Sequence, residues 1–173
     1  ARGRRALKAA AVRVVVTRPA AESARWVRDF QDRGFEVLAL PLIEIGPAPD
    51  IAAVRAAWRG IAGFAALMFV SGNAVTQFFA QRPVDAAELT ARAWAPGPAT
   101  AQALLAAGVP FALIDAPDGD APQFDSEALW QRVAVQVAAG QRVLIVRGAG
   151  GDGQGAGRDW LAAQIQAAGA SVE

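Results

Sequence analysis

Residues 143–153 read VLIVRGAGGDG, an apolar run that enters glycines spaced G-x-G-x-x-G at Gly148, Gly150 and Gly153. In that spelling the glycines permit a tight turn, and backbone amides at a helix start meet a pyrophosphate. Glu173 lies twenty residues beyond Gly153, the spacing of an acid that binds a ribose. A dinucleotide-binding Rossmann-type enzyme is therefore one chemistry that these residues allow. Against it, glycines continue at 155 and 157. The next helix is then expected to start only near Arg158, and a long loop replaces the tight turn.

The absent residue types narrow the chemistry further. The chain has no Cys, no His and no Tyr. Thiolate nucleophiles, histidine-centred triads and nearly every zinc or haem site are thereby removed. Carboxylates, hydroxyls, arginines and backbone amides remain. Of 17 cationic side chains only Lys8 is a lysine, and arginine suits carboxylates and phosphates because its planar fork donates in pairs. A compositional bias toward arginine and alanine accounts for the same count. The net charge of +1 gives no reason to expect a nucleic-acid or membrane partner. No apolar window approaches the roughly 20 residues of a membrane span.

The elements that position these groups alternate between strand and helix. Residues 12–17 (VRVVVT) form a β-branched run suited to a strand buried on both faces. A helix follows Pro19, turns Val27 and Phe30 inward and stops at Gly34. Strand 35–40 runs on into PLIEI (41–45), and GPAPD (46–50) then breaks the pattern. Beyond the break the spacing predicts helices over 51–60, 71–81, 98–107, 126–138 and 158–168. Strands are predicted over 65–70, 92–95, 111–114 and 142–147, with 115–124 as a loop. Asp50 and Asp125 are placed as helix caps, with Ser126 a second candidate beside Asp125. Residues 1–11 read as a flexible basic extension with no assigned function.

Repeated βα units of this length imply a doubly wound parallel sheet with helices on both faces, and such sheets bind ligands beyond the carboxyl ends of their strands. Those ends carry Thr17-Arg18, Ser71-Gly72-Asn73, Pro96-Gly97-Pro98 and Arg147-Gly148. Helix capping accounts for any one of these turns. Together they point toward an anion site built from helix N-termini. Residues 12–45 alone offer too little core to fold as a unit. An internal echo, strand–Arg–Trp-bearing helix–Gly–strand, links the segment starting at VVVTR with the one starting at VLIVR. The shared βαβ plan accounts for it as well as duplication does.

Read together, VVVTRP (14–19), GFEVLALPLIEI (34–45), MFVSGNAV (68–75), APGPAT (95–100), DSEAL (125–129) and VLIVRG (143–148) resemble, in order and spacing, the uroporphyrinogen-III synthase family. The resemblance spans residues 12–173. It implies a cytoplasmic enzyme of tetrapyrrole synthesis, a lyase that closes hydroxymethylbilane into uroporphyrinogen III. Ring D is inverted, water is lost, and neither metal nor organic cofactor takes part. The implied fold has two doubly wound α/β domains joined by a two-stranded connector, with the first domain discontinuous. On that plan residues 12–45 are the first βαβ part of domain 1 plus the outgoing connector. Residues 46–169 are a complete domain 2, and 170–173 start the returning connector. The natural chain is expected to continue past Glu173, where the rest of domain 1 and a connector tyrosine would fall.

Carried over position by position, the resemblance assigns substrate contacts to Thr17 and Arg18, Ser71 and Asn73, Gly97 and Thr100, and Arg147 and Gly148. It identifies no catalytic residue; Ser71 and Thr100 are the candidates for placing an acid near the leaving hydroxyl. Val70 stands where the family has threonine, and Pro96 where valine is common. The glycine run replaces a short Gly-Gly-Arg-Glu turn, which leaves Arg158 without a role. A monomer binding an octacarboxylate small molecule is expected. A non-catalytic ligand-binding α/β module stays open beside the enzyme.

Overall fold

The computed structural model describes residues 12–148 and 158–173. The chain separates into two compact units between Gly46 and Pro47.

The first unit is a single βαβ repeat: β1 (Arg13–Val16), α1 (Ala20–Gln31) and β2 (Glu36–Ala39). The strands pair in parallel, Arg13 opposite Glu36 and Val16 opposite Ala39. Pro19 precedes the helix with φ −48° and ψ 147°, and its carbonyl accepts the amides of Glu22 and Ser23. The buried Ser23 hydroxyl donates to the Arg18 carbonyl at 2.7 Å, which ties the helix start to the end of β1. Gly34, at φ +84°, ends the helix in the left-handed region that a side chain disfavours.

The expectation that 12–17 is buried on both faces does not hold. Val16 is buried, whereas Val12, Val15 and Leu38 are exposed. Two strands covered by one helix leave the opposite face of the sheet open, so an apolar run is no guide to two-sided burial here. Nor does PLIEI continue the ladder as a strand. The Leu40 and Leu42 amides still donate to Val16 and Thr17, and strand pairing stops there.

The second unit is a three-layer α/β domain. Its strands are β3 (Ala66–Phe69), β4 (Arg92–Trp94), β5 (Ile114–Asp115), β6 (Arg142–Val146) and β7 (Ser171–Val172). They lie in the order β5-β4-β3-β6-β7, every neighbouring pair parallel. The helices are α2 (Ile51–Arg59), α3 (Gly72–Ala80), α4 (Pro98–Ala106), α5 (Ser126–Val133) and α6 (Arg158–Ala167). Side-chain alternation along β3 sorts the two faces. Leu67 and Phe69 join Trp58, Val75, Phe78 and Leu104 from α2, α3 and α4. Ala66 and Met68 join Leu129, Val133, Leu161 and Ile165 from α5 and α6. Every residue of β3 is buried, as a central parallel strand requires. Each large side chain so buried contributes about 1.5–3 kcal/mol. Trp58 adds a polar anchor, since its Nε1–H donates to the Phe78 carbonyl at 2.9 Å while the two rings stack at 4.6 Å.

Two boundaries differ from the sequence reading. Pro110 starts a 3-10 turn over Phe111–Leu113, which leaves Phe111 exposed, and the strand forms only at Ile114–Asp115. The helix predicted over 126–138 ends at Val133 and tightens into a 3-10 turn, Ala134–Gln136. The β-branched residues Val133, Val135 and Val137 lower helix propensity there, and Val135 points to solvent. The short edge strand β7 pairs Ser171 opposite Arg142 and Val172 opposite Val143.

Candidate functional site at the carboxyl edge of the second sheet

From β3 the chain steps through α3, β4 and α4 to β5, then returns through α5 on the other face to β6, on the far side of β3. The segments leaving β3 and β6 therefore diverge to opposite faces. Such a switch point opens a crevice at the carboxyl ends of the two strands. The Val70 amide donates to the Val146 carbonyl at 3.2 Å as the two strands end. Directly beyond it stand Ser71-Gly72-Asn73 on one side and Arg147-Gly148 on the other. The strand order thus brings together two turns separated by more than seventy residues.

Ser71 caps α3: its backbone is extended at φ −164° and ψ 164°, and its Oγ accepts the Ala74 amide at 3.2 Å. Asn73 sits in the first helical turn, half-buried. The positive end of the α3 dipole is directed out of the carboxyl edge. At the end of β4, Gly97 takes the cap position of α4 and Pro98 the first helical position, where its missing N–H costs nothing. No side chain caps this helix. Gly97 is extended rather than left-handed, so its backbone suits any residue. Its need is for space: a Cβ there would lie 3.1 Å from the Cβ of Phe124. Phe124, at the end of the 115–124 loop, covers this turn while remaining 45% exposed.

Thr100 differs from the other candidates. It is 5% exposed, so little of its side chain is offered to a ligand. Arg147 is exposed and pairs loosely with Asp159 in the first turn of α6, at 3.7 Å. An exposed pair of that length is weak, and a carboxylate ligand competes for the guanidinium at small cost. Gly148 is exposed with open space around it. Gly150, Gly153 and the glycines up to 157 lie outside the described residues. Glu173, the acid that the dinucleotide reading needs for a ribose, is engaged elsewhere. Its Oε1 accepts from Arg142 Nε at 2.9 Å and Nη2 at 2.7 Å, across the β6–β7 pair. That reading is corrected on this ground.

Thr17 and Arg18 belong to the first unit, at the carboxyl end of β1. Both are exposed. Arg18 lies 3.3 Å from Glu22 and packs its guanidinium over the Trp26 ring at 5.3 Å.

Two residues escape the sequence reading. Phe124 falls in the predicted loop, and nothing local shows that it would cover Gly97. Asp115 falls in the same loop, yet it is a buried strand carboxylate. It accepts Arg92 Nε–H at 2.7 Å and is also bonded by the second guanidinium nitrogen, Nη2. This hydrogen bonding is the main cause that pushes the Arg92 pKa further up, against a smaller opposing effect of burial. The pair staples β4 to β5; a distance of 23 residues along the chain hides it from any local pattern. Among the described residues, no helix is long and apolar enough to cross a membrane.

A family model described as uroporphyrinogen-III synthase HemD matches residues 24–173. A search of curated proteins found no match. Two crystal structures of uroporphyrinogen III synthase from the extremely thermophilic bacterium Thermus thermophilus are similar in fold. The wild-type structure gives a TM-score of 0.53 at 19% identity, covering 94% of this chain and 59% of that one. A mutant of the same enzyme gives 0.62 at 20% identity, covering 94% and 60%. The chain thus spans three-fifths of the length of these structures.

Proposed function

This chain belongs to the uroporphyrinogen-III synthase family, and on that premise we propose that it takes part in tetrapyrrole synthesis as a lyase. The reaction is cyclisation of hydroxymethylbilane to uroporphyrinogen III, with inversion of ring D and loss of water. The observation that carries the proposal is the family match over 24–173, together with the turns Ser71–Asn73 and Arg147–Gly148 meeting at one switch point.

The substrate is an octacarboxylate, so its recognition calls for donors that are fixed before it arrives. In this reading the amino ends of α3 and α4 face substrate carboxylates, and Arg147 exchanges Asp159 for one of them. Each helix end contributes about 0.3–1 kcal/mol toward an anion. Several such contacts acting at once are needed to hold one folded conformation of a flexible linear tetrapyrrole.

The chemistry asks little of a nucleophile. The C–O bond of the hydroxymethyl group breaks, the hydroxyl takes one proton and departs as water, and the pyrrole nitrogen stabilises the cation left behind. Attack on it by the already substituted α-carbon of ring D gives a spiro intermediate. The bond from that carbon to the methylene of ring C then breaks, leaving a second pyrrole-stabilised cation. The free α-carbon of the turned ring D attacks this methylene, closes the ring and releases one proton. Ser71 is the better placed of the two hydroxyl candidates: its oxygen accepts the Ala74 amide and it keeps its own proton to donate. Thr100, buried in α4, shapes the turn from within. Thr17 and Arg18 are assigned to the same substrate by the resemblance alone. A cytoplasmic monomer needing no metal or organic cofactor completes the proposal, because elimination and ring closure change no oxidation state.

Incubation of the protein with hydroxymethylbilane, followed by oxidation and chromatographic separation of the uroporphyrin isomers, tests this reading. The proposal predicts enrichment of the type III isomer over the type I isomer that forms without catalysis. Type I alone, from folded protein, refutes it.

A further inference from the structure

At the opposite, amino edge of the second sheet, α2 and the segment after α3 border an open depression of about 400 Å³. Arg55, Arg59 and Arg82 line it together with Gln81, Pro83 and Val84. The nine residues of α3 span about 13 Å, which separates this depression from the Ser71 turn. Arg55 and Arg59 are four apart on one helix, a like-charge arrangement that disfavours the helix unless something answers it. Among the described residues none of the three arginines has an ion pair with a carboxylate, a condition shared with Arg28 and Arg33, whereas Arg13, Arg18, Arg25, Arg92, Arg132, Arg142 and Arg147 are paired. Arg82 is oriented from below by the Trp58 ring, 5.4 Å from its guanidinium, and reaches the Ala87 carbonyl at 3.4 Å. Carboxyl ends of α2 and α3 border the depression and bring roughly half a negative charge each, which three whole positive charges exceed.

We propose that this depression is a second anion site, one that binds a compact oxyanion carrying at least two negative charges. Its volume suits a small molecule rather than a polymer, and the planar forks of three arginines suit phosphoryl or clustered carboxylate oxygens. The site lies on a different edge from the proposed tetrapyrrole contacts, and it stands or falls independently of that function.

Isothermal titration with inorganic pyrophosphate and, separately, with citrate tests it on the unmodified protein, on Arg55→Ala/Arg59→Ala and on Arg82→Ala. A control, Arg25→Ala/Arg28→Ala, removes two exposed arginines of α1. The expected result is saturable binding of at least one probe, weakened about tenfold or more by either site variant and unchanged in the control. Tighter pyrophosphate binding assigns the site to phosphoryl compounds; tighter citrate binding assigns it to polycarboxylates. Circular dichroism checks that each variant is folded, and the double variant of exposed α2 residues serves if Arg82→Ala is not. No saturable binding of either probe overturns the proposal, as does equal weakening by the control.

Discussion

Replacing Gly97 with alanine should reveal whether Phe124 holds the α4 turn as tightly as the structure shows. The backbone at Gly97, φ −170° and ψ 173°, accepts alanine without strain. Alone, the substitution would be close to neutral: restricting the unfolded chain contributes about 0.4–1 kcal/mol, and alanine is a poorer N-cap than glycine by a similar amount. The new Cβ, however, meets Phe124 Cβ at 3.1 Å, Cγ at 3.6 Å and Cδ1 at 3.8 Å. Overpacking of this kind costs about 1–3 kcal/mol, and the lower end applies because Phe124 sits on a loop that yields. Gly97→Ala should therefore destabilise by about 1 kcal/mol while Phe124 is present. In a Phe124→Gly background all three contacts vanish, and the same substitution should be close to neutral. The difference corresponds to a coupling of about 1 kcal/mol. With a urea slope near 2 kcal/mol/M, the unfolding midpoint should shift by about 0.5 M between the two backgrounds. Equal effects of Gly97→Ala in both backgrounds would refute the claimed contact.

Ser71 separates folding from binding. Ser71→Ala removes the cap and should cost about 1 kcal/mol of stability, whereas Ser71→Asp keeps a capping oxygen and should leave stability near its starting value. The aspartate nevertheless puts a negative charge where a substrate carboxylate is proposed, so type III isomer formation should fall sharply in this stable variant. Asp115→Asn should cost about 2 kcal/mol in chemical unfolding, since it weakens the charge-assisted bonds to Arg92. For Arg92 the folded pKa is raised, so its contribution is fully present below the unfolded value and is lost only as pH rises through the higher folded value. The stability difference between the unmodified protein and Arg92→Met should accordingly stay level between about pH 6 and 9; a steep decline toward pH 9 contradicts the assignment.

Short-range signals served the sequence reading well. Capping by Asp50 and Asp125, the stop at Gly34 and the uninterrupted apolar run of β3 are each fixed by neighbours a few residues away. Features decided by distant partners were not legible. Burial of β1 depends on what covers its sheet, which no residue of VRVVVT encodes. Asp115 reads as a loop residue because its partner, Arg92, lies a strand and a helix earlier. The 3-10 turns after Pro110 and Val133 arise from weak local preferences that packing resolves. At the candidate site, residue types and turns could be read directly. The meeting of Ser71 with Arg147 followed only from the strand order β4-β3-β6.

The central claim is that the carboxyl edge around the β3–β6 switch point binds the tetrapyrrole carboxylates. Titrating uroporphyrin III, an octacarboxylate, into isotope-labelled protein while following backbone amide signals tests this most directly. The account predicts saturable shifts concentrated at residues 71–74, 97–101 and 147–148, reduced by Ser71→Asp. Shifts confined to other surfaces, or none at all, would contradict it.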